Sequence, residues 1–106
     1  MPTIEQLEKL LSLDAEDTFV LYGLAQEHAK AGSHAEAIAY YDRCLGVDAD
    51  YLYAYYHKAV AQIAAGDAGG AKETLGTGLD RSRAAGDAKA QGEISELLAQ
   101  VESGGV

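Results

Sequence analysis

Proline is almost missing from this chain, with one residue in 106, at position 2. No long β-branched run occurs either, and the two absences together argue for a chain that is helical throughout. Cysteine appears once, as Cys44. No internal disulfide can form, which suits a reducing compartment. Basic residues are few: 8 against 17 acidic ones, for a net charge of −9 and a pI near 4.5. Such a surface repels phosphate, so nucleic acid and anionic membranes are excluded as expected partners. The acidity itself reads as a solubility device, with adaptation to a salty cytoplasm as the other reading. No stretch approaches the roughly 20 apolar residues of a membrane span. Met1-Pro2-Thr3-Ile4-Glu5 has neither the basic start nor the apolar run of a signal peptide, and the expected location is the cytoplasm.

Catalytic and metal-binding patterns are absent as well. His28, His34 and His57 share no helical face at a spacing of four, and Cys44 has no second cysteine to complete a zinc set. His28 falls in a core-facing position and reads as a partly buried, hydrogen-bonded ring. Cys44 occupies a position for a small residue and reads as a packed thiol. The glycines form no phosphate-binding loop, and no nucleophile–base pair is visible. The expectation is a protein that is not an enzyme and carries no cofactor.

What is present is helical periodicity. In residues 21–45, Leu21, Leu24, Ala25 and His28 form one stripe, and Ala37, Ile38, Tyr41, Cys44 and Leu45 form another. Between them Gly32 can end the first helix in the left-handed conformation. Ser33 and Glu36 have the S-x-x-E spacing of a capping box for the second. The unit recurs 34 residues on: Gly66-Asp67 follows Gly32-Ser33, Ala71 follows Ala37, Leu79 follows Leu45, and Tyr56 and Ala59 follow Tyr22 and Ala25.

A helix–turn–helix unit of that period resembles the tetratricopeptide repeat. The repeat's positions hold Leu21, Leu24, Ala25, His28, Ala37, Tyr41 and Cys44, then Tyr55, Lys58, Ala59, Gln62, Ala71, Leu75 and Gly78. His28, Lys58 and Gln62 depart from the apolar or aromatic residues usual there, and Ala49 stands where proline is common. The resemblance implies an all-α fold, a right-handed stack of antiparallel helix pairs with about six helices in one domain.

Within that frame, residues 1–17 carry a half-repeat helix, with Thr3 and Gln6 as a capping box and Ile4, Leu7, Leu10 and Leu11 on one face. Its exit, Leu11-Ser12-Leu13-Asp14-Ala15, matches Leu45-Gly46-Val47-Asp48-Ala49. Residues 18–51 and 52–85 are the full repeats, with Asp17 as the cap of the first. Residues 86–102 are a closing helix capped by Asp87, with Ala90, Ile94, Leu97, Leu98 and Val101 as its apolar stripe, and 103–106 are a frayed tail. A two-residue insertion places Ile94, Ser95 and Leu98 in the leucine, small and large positions. Gly69, Gly70, Gly76 and Gly78 make the second helix of the 52–85 unit poor by propensity. Only Gly78 falls where a small residue is wanted, so this helix is expected to be the least stable.

By the resemblance, the first helices of the units line a concave groove. Here those positions hold Phe19, Tyr22, Gln26 and Lys30, then Tyr53, Tyr56, His57 and Val60, also flanked by Gly23 and Ile63. The tyrosines offer rigid apolar faces with polar tips, with acidic residues expected outside the patch. The implied function is an adaptor that binds a peptide or protein segment there, with Gln26, Lys30 and His57 supplying hydrogen bonds. A self-associating scaffold subunit, a monomer or weak homodimer without a peptide ligand, is the alternative. Repeat domains of this kind that grip chaperone C-termini use lysine, arginine and asparagine at positions held here by Tyr22, Gln26, His57, Lys89 and Glu93. Only Lys89 fits, so that specificity is not expected.

Overall fold

The computed structural model describes residues 2–104. Met1, Gly105 and Val106 lie outside the described part, and with them the end of the expected tail. Six α-helices follow in order: α1 (Ile4–Leu13), α2 (Thr18–Lys30), α3 (His34–Val47), α4 (Leu52–Ala64), α5 (Ala68–Ala85) and α6 (Ala88–Glu102). No strand occurs among the described residues, and no helix there is long and apolar enough to cross a membrane.

Two kinds of turn join them, and each is written in the local sequence. Gly32, Gly66 and Gly86 have φ of 79°, 85° and 69°, the left-handed region that favours glycine. The next amide reaches back across the helix end in all three: Ser33 N–H to His28 O (2.9 Å), Asp67 N–H to Gln62 O (2.8 Å) and Asp87 N–H to Ser82 O (3.0 Å). The other two turns are built on aspartate. Asp14 Oδ1 accepts from Glu16 N–H at 3.0 Å, and Asp48 Oδ1 accepts from Asp50 N–H at 2.9 Å, which explains why the two exit sequences agree. The strict 34-residue period breaks after Leu79: α5 continues through Arg81-Ser82-Arg83-Ala84-Ala85, as that sequence leads one to expect, and ends on Gly86.

Helix starts follow the sequence with one correction. Thr3 and Gln6 form a full capping box, and Asp17, Asp67 and Asp87 accept from Val20, Gly70 and Ala90 N–H at 3.2, 2.9 and 3.0 Å. Ser33 is the N-cap of α3 but makes no side-chain cap bond, so the expected Ser33–Glu36 box does not form. The reason is reach. Ser33 and Asp67 have nearly the same ψ, 72° and 71°, yet the carboxylate carries one more carbon and arrives where the serine hydroxyl falls short.

Consecutive helices pack against each other, and the even-numbered ones also touch: α2 meets α4, and α4 meets α6. The odd-numbered helices do not meet among the described residues. The stack therefore curves, with α2, α4 and α6 on its inside. Two apolar cores fill it. The first gathers Leu7, Leu11, Leu21, Leu24, Tyr41 and Cys44 between α1 and α4; the second gathers Ala59, Ala71, Leu75, Ile94, Leu97 and Val101 between α4 and α6.

The departures from the repeat pattern are each matched by a neighbour. Gln62 is buried and its Oε1 accepts from Thr74 Oγ1 at 2.7 Å, so the polar residue in the large position is satisfied. Lys58 reaches Asp42 Oδ1 at 2.6 Å. His28 is half-buried and stacks on Tyr40 at 5.4 Å. Gly78 is pressed against Tyr55: a Cβ there would lie 2.7 Å from the tyrosine Cβ. Gly70, expected to lack any such reason, has one too, since its Cβ would meet the capping carboxylate of Asp67 and, at 2.8 Å, Gln62 Nε2. In α6 the inserted register holds for buried Ile94 but not for Ser95, which is exposed, while Leu97 is buried in its stead. No helix packs beyond α6 among the described residues to need a small partner there.

Candidate functional site

The inside of the curve presents one residue row from each of α2, α4 and α6. On α2, Phe19, Tyr22, Gln26 and Lys30 recur at spacings of three and four, so they share a face about 16 Å long at 1.5 Å per residue. Phe19 stands out at its start, 74% exposed. Tyr22 is half-buried and is the hub of the aromatic contacts. Its ring lies 5.9 Å from Tyr41, 4.9 Å from Tyr51 and 6.0 Å from His57. Tyr56 then meets His57 edge-on at 5.2 Å. The aromatic contacts thus run across the helices, from Tyr51 through Tyr22 and His57 to Tyr56.

These contacts change the character of several expected groove residues. Tyr22 is partly buried and also packs against the first core, so its ring serves the fold as well as the inner face. Burial, with Tyr51, Cys44 and Tyr53 beside it, pushes its hydroxyl up to about 12. Gln26 is not free to serve a ligand through its carbonyl, because Oε1 accepts from the hydroxyl of fully buried Tyr41. Lys30, at the far end of α2, is exposed and pairs with Glu27 Oε2 at 3.1 Å. Burial holds His57 below its ordinary value, with Glu93 opposing, so it is neutral at pH 7 and offers one donor and one acceptor. Tyr56 packs partly on the second core. Phe19, Tyr53 and Val60 belong to neither core, and Val60 is 42% exposed.

The third wall was not foreseen as part of the aromatic surface. Between α4 and α6 lies a depression of about 110 Å³ lined by Tyr56, Glu93, Glu96, Leu97 and Gln100. The expectation that carboxylates stay outside the patch is overturned. The hydroxyl of half-buried Tyr53 is pushed up by desolvation, then by Glu93 and Asp87 beside it. Tyr51, at the cap of α4, was also missed, because the aspartate turn folds it back onto Tyr22. Glu96 was legible in principle: the two-residue offset that aligns Glu93 with His57 aligns Glu96 with Val60.

Nothing in this face is arranged for bond-making chemistry. Cys44 is buried, donates weakly to Thr18 O at 3.7 Å, and is pushed up by burial and by Asp48 to about 11, so it is a thiol at neutral pH. No group of three or more His, Cys, Asp or Glu side chains converges to hold a metal ion among the described residues.

The pattern that defines the tetratricopeptide repeat family matches residues 28–101. A TPR repeat-containing protein of Pseudomonas aeruginosa is 29% identical over 99 residues, 93% of this chain and 94% of that one. Among solved structures, the TPR2B domain of yeast Sti1 in complex with pHsp70 superposes with a TM-score of 0.88 at 26% identity, over 94% of this chain and 80% of that one. A tetratricopeptide repeat domain protein from Salinibacter ruber gives a TM-score of 0.78 at 30% identity, over 85% of this chain and 91% of that one. The chain belongs to the tetratricopeptide repeat family and is a non-catalytic helical-repeat module for protein interaction.

Proposed function

We propose that this protein binds an extended peptide or protein segment along the inner face of its stack, with residues 18–51 and 52–85 as its full repeats. One observation carries the reading. Phe19, Tyr53 and Val60 are apolar side chains on the inner face that contribute to neither core. Exposed apolar groups in one rimmed patch mark interaction sites, and aromatic ones dominate binding energy. Tyr56 and His57 add a partly buried floor, with His57 as a neutral hydrogen-bonding group. Lys30 offers a donor at the end of α2, and Gln26 keeps only its amide nitrogen for a ligand. The setting is an adaptor in the cytoplasm, where the free buried Cys44 stays reduced.

A chaperone tail like that of the Sti1 complex is not the favoured ligand. Of the positions that would grip a terminal carboxylate, Tyr22 and Gln26 are tied to Tyr41, His57 is neutral, and Glu93 repels an anion. Self-association is the second reading. Leu10 and Leu13 on α1 are 47% and 84% exposed, and a second copy could cover them. Light scattering over a dilution series decides it: a constant monomer mass removes this reading.

The test of the first reading uses twelve-residue peptides selected on the purified protein by display. Their binding should shift the amides of Tyr53, Tyr56, His57 and Val60. Tyr53→Ala should weaken them by more than about 1 kcal/mol while the urea midpoint stays put. Shifts confined to α1, α3 and α5, or unchanged affinity in Tyr53→Ala, would overturn it.

A further inference from the structure

The depression between α4 and α6 is small enough to take one side chain and too small for a helix. Tyr56 and Leu97 give it apolar walls, and Glu93, Glu96 and Gln100 give it a polar rim. Among the described residues the ion pairs are Lys30–Glu27, Lys58–Asp42, Arg81–Asp50 and Arg83–Asp80. None of them uses Glu93 or Glu96, so both carboxylates face the depression without a cation among the described residues. No lysine or arginine lines it. Its neighbour His57 brings no charge at neutral pH. The chain's net charge of −9 adds a long-range attraction for cations.

A linear side chain with an apolar stem and a cationic head matches this lining feature by feature. The stem covers Tyr56 and Leu97, as lysine and arginine stems do on apolar surfaces, and the head reaches the two carboxylates. An aromatic wall adds attraction for a cation. An acidic side chain meets repulsion, and a purely apolar one leaves both carboxylates facing a desolvated stem. We propose that this depression receives a lysine or arginine side chain of the bound segment, so that the inner face selects basic segments. This rests on the inner face being the binding surface. It also sets a direction: the aromatic end at α2 takes the segment's apolar residues, and the α6 end takes its cation.

The probes are three acetylated, amidated heptapeptides, each with serine, leucine and glycine on both sides of a central residue that is lysine, norleucine or glutamate. Titration at millimolar concentration is followed by NMR. The lysine peptide should shift the side-chain carboxyl signals of Glu93 and Glu96 and the ring of Tyr56. The norleucine peptide should bind about fivefold or more weakly, and the glutamate peptide weaker still. The double substitution Glu93→Gln with Glu96→Gln should cost the lysine peptide about tenfold and leave the norleucine peptide no weaker, with an unchanged urea midpoint, since both carboxylates lie near solvent. Raising the salt should weaken only the lysine peptide. Equal binding of lysine and norleucine peptides at the inner face overturns the cation specificity and leaves the groove standing. A lysine peptide that shifts only α1, α3 and α5, or nothing, overturns both.

Discussion

Gly76 and Gly78 sit two residues apart in the same helix, and alanine at each should move stability in opposite directions. A Cβ on Gly76 meets nothing within 4 Å. Its substitution gains only the helix propensity of alanine over glycine, about 0.5–1 kcal/mol. Gly78 receives the same propensity gain. There, however, the new carbon lies 2.7 Å from Tyr55 Cβ and 3.0 Å from its Cγ, and Ile94 Cδ1 closes a third side at 3.4 Å. Tyr55 cannot give way easily, being 6% exposed with its hydroxyl donating to Ala49 O at 2.6 Å. Overpacking of this kind costs roughly 1–3 kcal/mol, which outweighs the propensity gain. The net loss for Gly78→Ala is about 1–2 kcal/mol, or roughly 4–15 °C in Tm for a domain of this size. Urea denaturation followed by circular dichroism at constant m-value measures both variants. Gains in both would show that α4 and α5 are not in close contact at Gly78. Losses in both would show that Gly76 holds a conformation other than ordinary helix.

The N-caps give a second contrast. Asp87→Ala should lose about 0.5–2 kcal/mol, while Ser33→Ala should change the urea midpoint by little, since its hydroxyl caps nothing. Equal losses would mean that Ser33 does cap α3 in solution. The third concerns alkaline pH. Tyr22 and Cys44 are both raised, from 10.0 to about 12 and from 9.0 to about 11, so the fold prefers their neutral forms. Their contribution is full below the unfolded values and is lost as pH rises through the folded ones. Urea midpoints should therefore fall between about pH 9 and 12, with part of the tyrosinate absorbance appearing late. A single tyrosine titration near pH 10 would refute it.

The helices and turns were legible because their signals are local. Gly32, Gly66, Asp14 and Asp48 act on residues a few positions away, and the 34-residue period multiplied each signal. Ser33 misled because S-x-x-E records composition at a spacing, and the ψ that decides whether a hydroxyl reaches is not in the pattern. The candidate surface was legible only by residue row. That Tyr22 would lean on Tyr41 and Tyr51 depends on how α2, α3 and the α4 cap converge, a contact between residues up to 29 positions apart. Glu96 needed one more step: the extended α5 shifts the period by two residues, and only with that offset does the α6 row align with Val60 and its neighbours on α4.

The hub position of Tyr22 divides the inner face by how freely it can be rewritten. At the α2 end, the ring that a ligand would touch is also the ring that Tyr41, Tyr51 and the first core lean on. A substitution there is tried against folding before it is tried against any ligand. Phe19, Tyr53, Val60, Glu93 and Glu96 carry no such double duty. New specificities, whether from gene duplication or from a designed library, should accumulate at these five positions, while Tyr22 keeps its identity across proteins that bind quite different segments.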